Sequence, residues 1–327
     1  MSAKPFPPVR ISVVGVGSFG RLHALTLAGL AEADLVEVVD SRESALAEMQ
    51  AVLPDVPGYT DLNAALQQTD TEAWVIATRT ASHVPLAELL LRAGKRVLVE
   101  KPLAENLETA RRLAPLVTPD SSNLMLGHLA LFAPEFRRLL QETRRRGPLT
   151  YFHLFRHRPA ATADLYPEET PLRLTMVHDL YLAYALMNGA EPVRLSARFH
   201  PRAGGGCDLA LAEMAWENGT WASFTASFLT PPGLASDGYD RMELFGRGWA
   251  AQIRLNPQPL ELYTERAEWP LGLDITADPV APSGWLAEEL RCFCRVARGR
   301  EEPPLGARYA DALRLQEWME RLERSAV

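Results

Sequence analysis

The chain lacks several features that mark specialised classes of protein. Only three cysteines occur in 327 residues, and the single residue between Cys292 and Cys294 is not a zinc or redox spacing. Cys207 stands alone. We therefore expect free thiols in a reducing cytoplasm and no metal site.

Other absences narrow the class further. No run approaches the roughly 18 apolar residues that a membrane helix needs, and the first residues lack the apolar stretch of a secretory signal. A net charge of −7 argues against a nucleic-acid partner. The run Arg144-Arg145-Arg146 is typical of a solvated helix end that Gly147 terminates. Length and composition predict a soluble, cytoplasmic protein of two domains.

The first part of the chain alternates short, almost continuously apolar strands with helices. The predicted strands are Val9–Val14, Leu35–Asp40, Ala73–Thr78, Arg96–Glu100 and Asn123–Gly127. The predicted helices are Phe19–Leu30, Arg42–Val52, Asp61–Gln67, Ser82–Ala93 and Leu107–Leu116. Strands of this kind are covered by helices on both faces, so we expect a doubly wound parallel sheet of the Rossmann type over residues 1–126.

Beyond residue 127 the pattern changes to runs of hairpins. The predicted helices are Pro134–Arg145, Arg173–Asn188, Trp285–Ala297 and Arg308–Arg324. The predicted strands are Leu149–His157, Val193–His200, Leu209–Trp216, Trp221–Phe228, Met242–Phe245, Ala250–Leu255 and Leu260–Tyr263. Residues 127–327 should form an α+β domain with a large open antiparallel sheet. Its aromatic side chains either join subunits or pack under the helices; they are Tyr151, Phe155, Phe224 and Phe228.

A glycine-rich turn follows the first predicted strand. Gly15, Gly17 and Gly20 have the spacing G-x-G-x-x-G and open a helix, with Ser18 and Phe19 between them. Such a turn brings the backbone close to a pyrophosphate and directs helix N–H groups at it. In this context, after a strand and before a helix, the spacing predicts dinucleotide binding.

The end of the second predicted strand bears on the choice of nucleotide. Asp40 lies where a carboxylate can accept hydrogen bonds from a ribose diol and repel a 2′-phosphate, which favours NAD. Ser41 and Arg42 follow at once, and an arginine there can accommodate that phosphate. NADP is therefore the less favoured alternative.

The tripeptide Glu100-Lys101-Pro102 lies at the carboxyl end of a predicted strand, the edge where ligands bind in open α/β sheets. With it, the chain resembles the Gfo/Idh/MocA oxidoreductases, which act mostly on sugars, inositols and related polyols. Further matches are Ile76–His83, Ala93–Ala104, Gly127-His128, Val177-His178-Asp179 and the tail Phe293…Gly299…Asp311-Ala312. The resemblance covers almost the whole chain.

The resemblance implies roles for several residues. Lys101 would donate a hydrogen bond to a substrate oxygen, while Glu100 and Pro102 shape the strand end. His178 would be the base that exchanges a proton with the substrate. The nicotinamide half of the cofactor would be lined by Thr78, Ser82, His83 and His128.

The chain also departs from the family pattern. Leu174 replaces the aspartate that family members usually carry four residues before this histidine, and Tyr181, one turn later, could hydrogen-bond to His178 instead. Leu131 replaces an arginine, so we expect a less polar substrate pocket that Tyr181 also lines. Arg79 stands where a proline is usual, and either reaches a phosphate or faces solvent.

Three functions remain open at this point. The first is an NAD(P)-dependent dehydrogenase or reductase acting on a secondary alcohol or ketone of a small polyol, sugar or sugar derivative. The second, motivated by Leu174 and Leu131, is a nucleotide-binding sensor or regulatory protein without catalysis. The third uses bound NAD transiently during elimination or glycoside cleavage. The resemblance further implies a homo-oligomer, a dimer or tetramer, with a small-molecule substrate as its other partner.

Overall fold

The structure, a computed structural model, describes residues 6–231, 238–254, 262–263, 267–268 and 275–326. These residues pack into two compact units. The first unit contains the described residues up to 132 and those from 275 to 313, and the second contains the remainder. Compact units need not coincide with domains, so the domain boundary between residues 126 and 127 stays a prediction.

The first unit is built on a parallel sheet with helices between its strands, as predicted. Its strands are β1 (Val9–Val14), β2 (Ala33–Val39), β3 (Gly58–Tyr59), β4 (Ala73–Ile76), β5 (Arg96–Glu100) and β6 (Leu124–Gly127). The intervening helices are α1 (Ser18–Gly29), α2 (Glu43–Gln50), α3 (Leu62–Gln68), α4 (Thr80–Arg92) and α5 (Leu107–Arg111). The strand order β3-β2-β1-β4-β5-β6 makes the sheet doubly wound.

The strand order decides where the loops of this unit meet. In a doubly wound sheet the winding reverses between β1 and β4, and both strands end at the same edge. The buried strand residues explain the continuous apolar runs: Trp74, Ile76, Val97 and Val99 belong to one core beneath α3 and α4. The carboxyl ends of β1, β4 and β5 therefore form one ligand-facing edge.

Two local predictions for this unit need correction. The two-residue strand β3 carries no apolar run and was not predicted. The predicted helix Leu107–Leu116 ends as a regular helix at Arg111, and turns continue the segment.

The first unit also contains a segment from near the end of the chain. Helix α9 (Gly284–Ala297) packs against α1, and a short 3-10 turn, Leu129–Phe132, packs against α9. The Leu126 N–H donates to Ala307 O at 2.9 Å, and the Tyr309 hydroxyl donates to Ala110 O at 2.8 Å. The returning segment thus covers the β6 edge of the sheet.

The second unit contains a mostly antiparallel sheet of order β12-β11-β7-β10-β9-β8. Its strands are β7 (Leu149–Pro159), β8 (Arg194–Pro201), β9 (Cys207–Ala215), β10 (Trp221–Thr230), β11 (Tyr239–Gly246) and β12 (Trp249–Arg254). The helices of this part of the chain are α6 (Pro134–Arg146), α7 (Thr162–Leu165) and α8 (Val177–Leu186). The remaining short strands are β13 (Leu262–Tyr263), β14 (Ala267–Glu268) and β15 (Ile275–Thr276), and the last helix is α10 (Tyr309–Ser325).

The structure refines the predictions for this unit. β7 and β10 pair in parallel, with α7, α8, β8 and β9 between them in the chain, whereas the other pairs are antiparallel. The predicted helix Arg173–Asn188 begins with a π-helical turn, Leu172–Met176, and becomes α-helical only at Val177. Residues 255, 260 and 261 of the last two predicted strands lie outside the described residues.

The two faces of the sheet differ in burial. Phe224 and Phe228 are 1% exposed, so they pack under the helices. Tyr151, 37% exposed, lies on the other face with Phe155, and stacks on Phe245 at a centroid distance of 6.1 Å. The second face therefore presents aromatic area to the outside of the unit.

Within the described part of the chain, no helix combines the length and hydropathy that crossing a membrane requires.

Candidate active site

The glycine turn is shaped for close approach of a ligand backbone. Gly15 has φ +84°, and a Cβ there would lie 2.7 Å from Ala77 O; a Cβ on Gly20 would lie 1.7 Å from Gly15 O. Gly17 precedes α1 and has no side chain to cap the first N–H groups of that helix, which begins at the exposed Ser18. Uncapped N–H groups at a helix N-terminus suit a pyrophosphate. The turn therefore fits a dinucleotide.

Asp40 lies beside this turn and is held by several donors. Its carboxylate accepts from the Val16 N–H at 3.0 Å and from the Arg42 N–H at 2.9 Å. The Arg42 guanidinium adds contacts of 3.1 and 3.0 Å to the two oxygens. Burial alone would raise the pKa of Asp40, but these hydrogen bonds outweigh burial and hold the pKa below its usual value.

The Arg42 contact changes how the nucleotide prediction is interpreted. The guanidinium reaches across the turn to within 3.4 Å of the point where a Gly17 Cβ would stand, and its side chain is 61% exposed. The positive charge of Arg42 therefore partly neutralises the negative charge of Asp40, which would otherwise repel a 2′-phosphate. Ser41, between them, is exposed.

The loop after β4 supplies the next group of predicted residues. The Thr78 Cγ2 methyl packs against Gly15. A Cβ added to Gly15 would lie only 2.6 Å from this methyl. Arg79 is exposed at the N-terminus of α4, a position that both of its predicted roles allow. The Ser82 N–H donates to Arg79 O at 2.9 Å. Thr78 and Ser82 thus lie at the same edge as the glycine turn.

His83 is buried beneath the loops at the ends of β4 and β5. Its ring is 1% exposed, and its Nδ1 and Nε2 lie 2.8 Å from Pro102 O and 3.1 Å from Thr78 O. Burial lowers the pKa of His83, although both carbonyls favour its protonated form. The side chain ties the loop after β5 to the end of β4, and its place beside the nicotinamide stays a prediction.

The end of β5 is built around a buried carboxylate. Glu100 accepts from His23 Nε2 at 2.9 Å and from the Lys101 N–H at 3.2 Å. A Cβ on Gly127 would lie 2.6 Å from Glu100 Oε1, so glycine at the end of β6 leaves room for this carboxylate. Phe19 packs edge-on against His23, with ring centroids 5.2 Å apart. Glu100 thereby fixes the backbone at the half-buried Lys101, which follows it.

A second buried carboxyl lies on α9. Glu289 is 0% exposed, and among the described atoms neither of its oxygens has a hydrogen-bond partner. Burial, and then the negative charge of Glu100, raise the pKa of Glu289 well above its usual value. The neutral form of this carboxyl is therefore favoured over a wider pH range than in an exposed glutamate. No sequence signal pointed to it beyond an acidic residue on the apolar face of a predicted helix.

His128 is also more buried than the prediction requires. Its side chain is 3% exposed, and its Nδ1 contacts Gly306 O. Burial lowers the pKa of His128 to about 4 despite that carbonyl. His128 joins the end of β6 to the returning segment, and its place beside the nicotinamide stays a prediction. Leu131, in the next turn, is 5% exposed.

In the second unit, His178 lies in the first turn of α8 and is half-buried. Its Nδ1 is 2.7 Å from the hydroxyl of Tyr181, and the two rings meet edge-on. Tyr181 is 0% exposed, and its predicted role as partner of His178 agrees with this contact, while its place in a substrate pocket stays a prediction. Leu174, on the π-helical turn, is half-buried like His178.

A buried ion cluster that the sequence did not reveal lies on the helix-covered face of the sheet. Arg156 donates to Asp179 at 2.8 Å and to Asp240 at 3.0 Å, and all three are at most 5% exposed. Arg158 also binds Asp240. Burial raises the pKa of Asp179 to about 6, although Arg156 favours its ionised form. The alternation along β7 could have indicated a buried Arg156, because this residue lies on the same inward face as Phe152 and Leu154.

We also searched the described residues for metal ligands. No group of three or more His, Cys, Asp or Glu side chains in that part of the chain is arranged to hold a metal ion. Among the described residues the three cysteines form no disulfide, and burial raises the pKa of Cys294 to about 12.

Comparison with known proteins gives one family match and several relatives. Residues 9–128 match the model of an oxidoreductase family with an NAD-binding Rossmann fold. The chain is 29% identical to UDP-N-acetylglucosamine 3-dehydrogenase of Acidithiobacillus ferrooxidans over 78% of this chain and 77% of that protein. A crystal structure of that enzyme superposes with a TM-score of 0.79 over 98% of each chain, at 26% identity. Inositol 2-dehydrogenase of Rhizobium meliloti is 30% identical over 58% of each chain.

Proposed function

The chain belongs to the Gfo/Idh/MocA family of oxidoreductases, and from that premise we propose that it is an NAD-dependent dehydrogenase of a small polyol, sugar or sugar derivative. It would act at a secondary alcohol or the corresponding ketone. The observation that carries the proposal is Lys101 at the end of β5, on the same sheet edge as the glycine turn after β1. The names of the relatives support a hydroxylated, sugar-like substrate.

The residues of the first unit would hold the cofactor. The N–H groups that open α1 would bind its pyrophosphate, and Asp40 its ribose diol. When bound, NAD supplies the hydride acceptor for the alcohol. Arg42 would have to release Asp40 for the diol to bind, because the guanidinium already contacts both carboxylate oxygens.

Lys101 would act on the substrate oxygen. Its ammonium would donate a hydrogen bond to the hydroxyl, and would stabilise the negative charge that develops there as the hydroxyl proton leaves. The buried Glu100, His23 and Gly127 fix the backbone from which this side chain extends. A group that is held before reaction needs little reorganisation during it.

His178 would accept the hydroxyl proton. Its Nδ1 is directed to Tyr181, so the exchange would pass through Nε2. In the reverse reaction the same nitrogen would return the proton to the ketone oxygen. Leucine in place of a polar residue at positions 131 and 174 favours a substrate less hydroxylated than a free sugar.

Replacing Lys101 with methionine tests the assignment. We expect kcat to fall by roughly 10²–10³-fold, with the NAD dissociation constant nearly unchanged. Lys95→Met is the matched control, because Lys95 lies before the opposite end of the same strand. Full turnover by the Lys101→Met variant would remove Lys101 from the mechanism.

The same measurements address the alternatives. Tight NAD binding without turnover across a panel of polyols and sugar derivatives would favour a sensor. Cofactor that co-purifies and is not consumed while product forms would favour elimination or glycoside cleavage.

We also propose that the chain forms a homo-oligomer, a dimer or tetramer, through the outward face of the second sheet, which carries Tyr151, Phe155 and Phe245. The cytoplasmic location stays a prediction.

A further inference from the structure

The hydrogen bond between His178 and Tyr181 decides which ring nitrogen can exchange a proton. The Tyr181 hydroxyl is 2.7 Å from Nδ1, and the ring centroids are 5.5 Å apart at an interplanar angle of 70°. Tyr181 is 0% exposed, whereas His178 is half-buried. The imidazole is therefore anchored on its inner side through Nδ1, and its other edge is directed away from that anchor.

Tyr181 interacts electrostatically with a buried cation, Arg156 on β7. Arg156 cannot move freely, because Asp179 on α8 and Asp240 on β11 hold it at 2.8 and 3.0 Å. Two strands and one helix thus fix the position of the guanidinium, and regular elements position a site more accurately than loops.

The chemistry of a phenol differs from that of a carboxylate in the same role. A carboxylate can only accept the Nδ1–H of a neutral imidazole, whereas a phenol can accept it or donate its own hydrogen. Where the phenol accepts, the lone pair is left on Nε2, the tautomer that a base needs. A carboxylate also stabilises the imidazolium by its negative charge. A neutral phenol gives the orientation without that charge.

We propose that Tyr181, backed by Arg156, is the positioning residue that holds His178 with Nδ1 protonated and Nε2 as the proton acceptor. It takes the place of a carboxylate, since Leu174, half-buried one turn earlier in the chain, has none. This inference rests on the proposed function for the identity of the base. Its hydrogen-bond geometry is independent of that function.

Tyr181→Phe is the direct test, because it removes the hydroxyl and keeps the ring in its buried site. We expect kcat/KM to fall roughly tenfold and the NAD dissociation constant to stay the same. Tyr184→Phe is the matched control: Tyr184 lies in the same helix, 8% exposed, with its ring packed edge-on against Trp318 at 5.6 Å. An equal loss of kcat/KM in both variants would assign the effect to packing and overturn the proposal.

A second measurement does not depend on turnover. The chain has seven histidines, so the ¹⁵N resonances of His178 can be assigned by comparison with a His178→Gln variant. We expect the neutral wild-type ring to carry its proton on Nδ1, and a mixture of tautomers in Tyr181→Phe. If no substrate is turned over, the proposed function fails while this measurement still decides the inference. An Nε2-protonated ring in the wild type would overturn it.

A rescue variant separates positioning from a merely structural role. Adding Leu174→Asp to Tyr181→Phe supplies a carboxylate four residues before His178, and should restore much of the lost kcat/KM. The new negative charge should also move the acidic limb of the pH–rate profile for alcohol oxidation upward by about one unit. The other charges near this pair, Arg156 with Asp179 and Asp240, and Arg173 with Glu323, are unchanged in the variant. No restoration and no shift of the limb would contradict the proposal.

Discussion

Glu289 should give up its proton at a higher pH than an exposed glutamate does, and the stability of the protein should depend on pH as a result. The carboxyl is 0% exposed on α9, and burial together with the charge of Glu100 raises its pKa well above the usual value. Glu289→Gln keeps the shape of the neutral acid and cannot ionise. The variant therefore isolates the contribution of this one proton.

The sign and size follow from proton linkage. An unfolded glutamate has a pKa of about 4.3, so between that pH and the raised value the folded state binds one more proton than the unfolded state. The free energy of unfolding of the wild type should then fall by about 1.4 kcal/mol per pH unit relative to Glu289→Gln. The contribution of Glu289 is fully present below the unfolded pKa and is lost as the pH rises through the folded one.

Urea unfolding at pH 5, 6, 7 and 8 measures this difference. The m-values should agree between the two proteins, since the substitution changes little surface. Glu317→Gln is the control: the Glu317 side chain is 38% exposed and pairs with Arg314 at 3.7 Å, so its profile should parallel the wild type. Parallel profiles for Glu289→Gln and the wild type would show that Glu289 is ionised when folded, and the reasoning would be refuted.

Two further predictions concern the nucleotide and the subunit interface. Arg42→Ala leaves Asp40 with its charge unopposed, so NADP binding should weaken about tenfold relative to NAD. The dissociation constants of both nucleotides measure this, with Ser41→Ala as the control. Unchanged selectivity between the two nucleotides would contradict the prediction. Replacing both Tyr151 and Phe245 with arginine puts like charges on the aromatic face, so sedimentation should show smaller particles than the wild type; identical masses would locate the interface elsewhere.

The cofactor half of the site could be predicted because its signals are local. A positive φ at Gly15 and a close approach at Gly20 require glycine at those positions, so the spacing itself carries the geometry. The strand before the turn and Asp40 after the next strand complete that signal within about thirty residues of sequence. The parallel sheet followed from the same apolar alternation.

The side-chain networks could not be predicted because they join residues far apart in the chain. His83 and His128 occupy positions that match cofactor-lining ones, yet their nitrogens contact backbone carbonyls of Pro102 and Gly306. Arg156 and Asp240 are 84 residues apart and meet only because β7 and β11 are neighbours in the sheet. The π-helical turn before α8 likewise has no spacing that distinguishes it from an ordinary helix start.

The return of α9 to the first unit imposes an order on biosynthesis. β6 leaves the ribosome long before the helix that covers α1, and the whole sheet of the second unit is synthesised in between. During that interval the growing chain carries an apolar surface on α1 and an open edge at β6, both exposed to chaperones and to other nascent chains. The first unit therefore completes its fold only after α9 and the residues that cover the β6 edge have been synthesised.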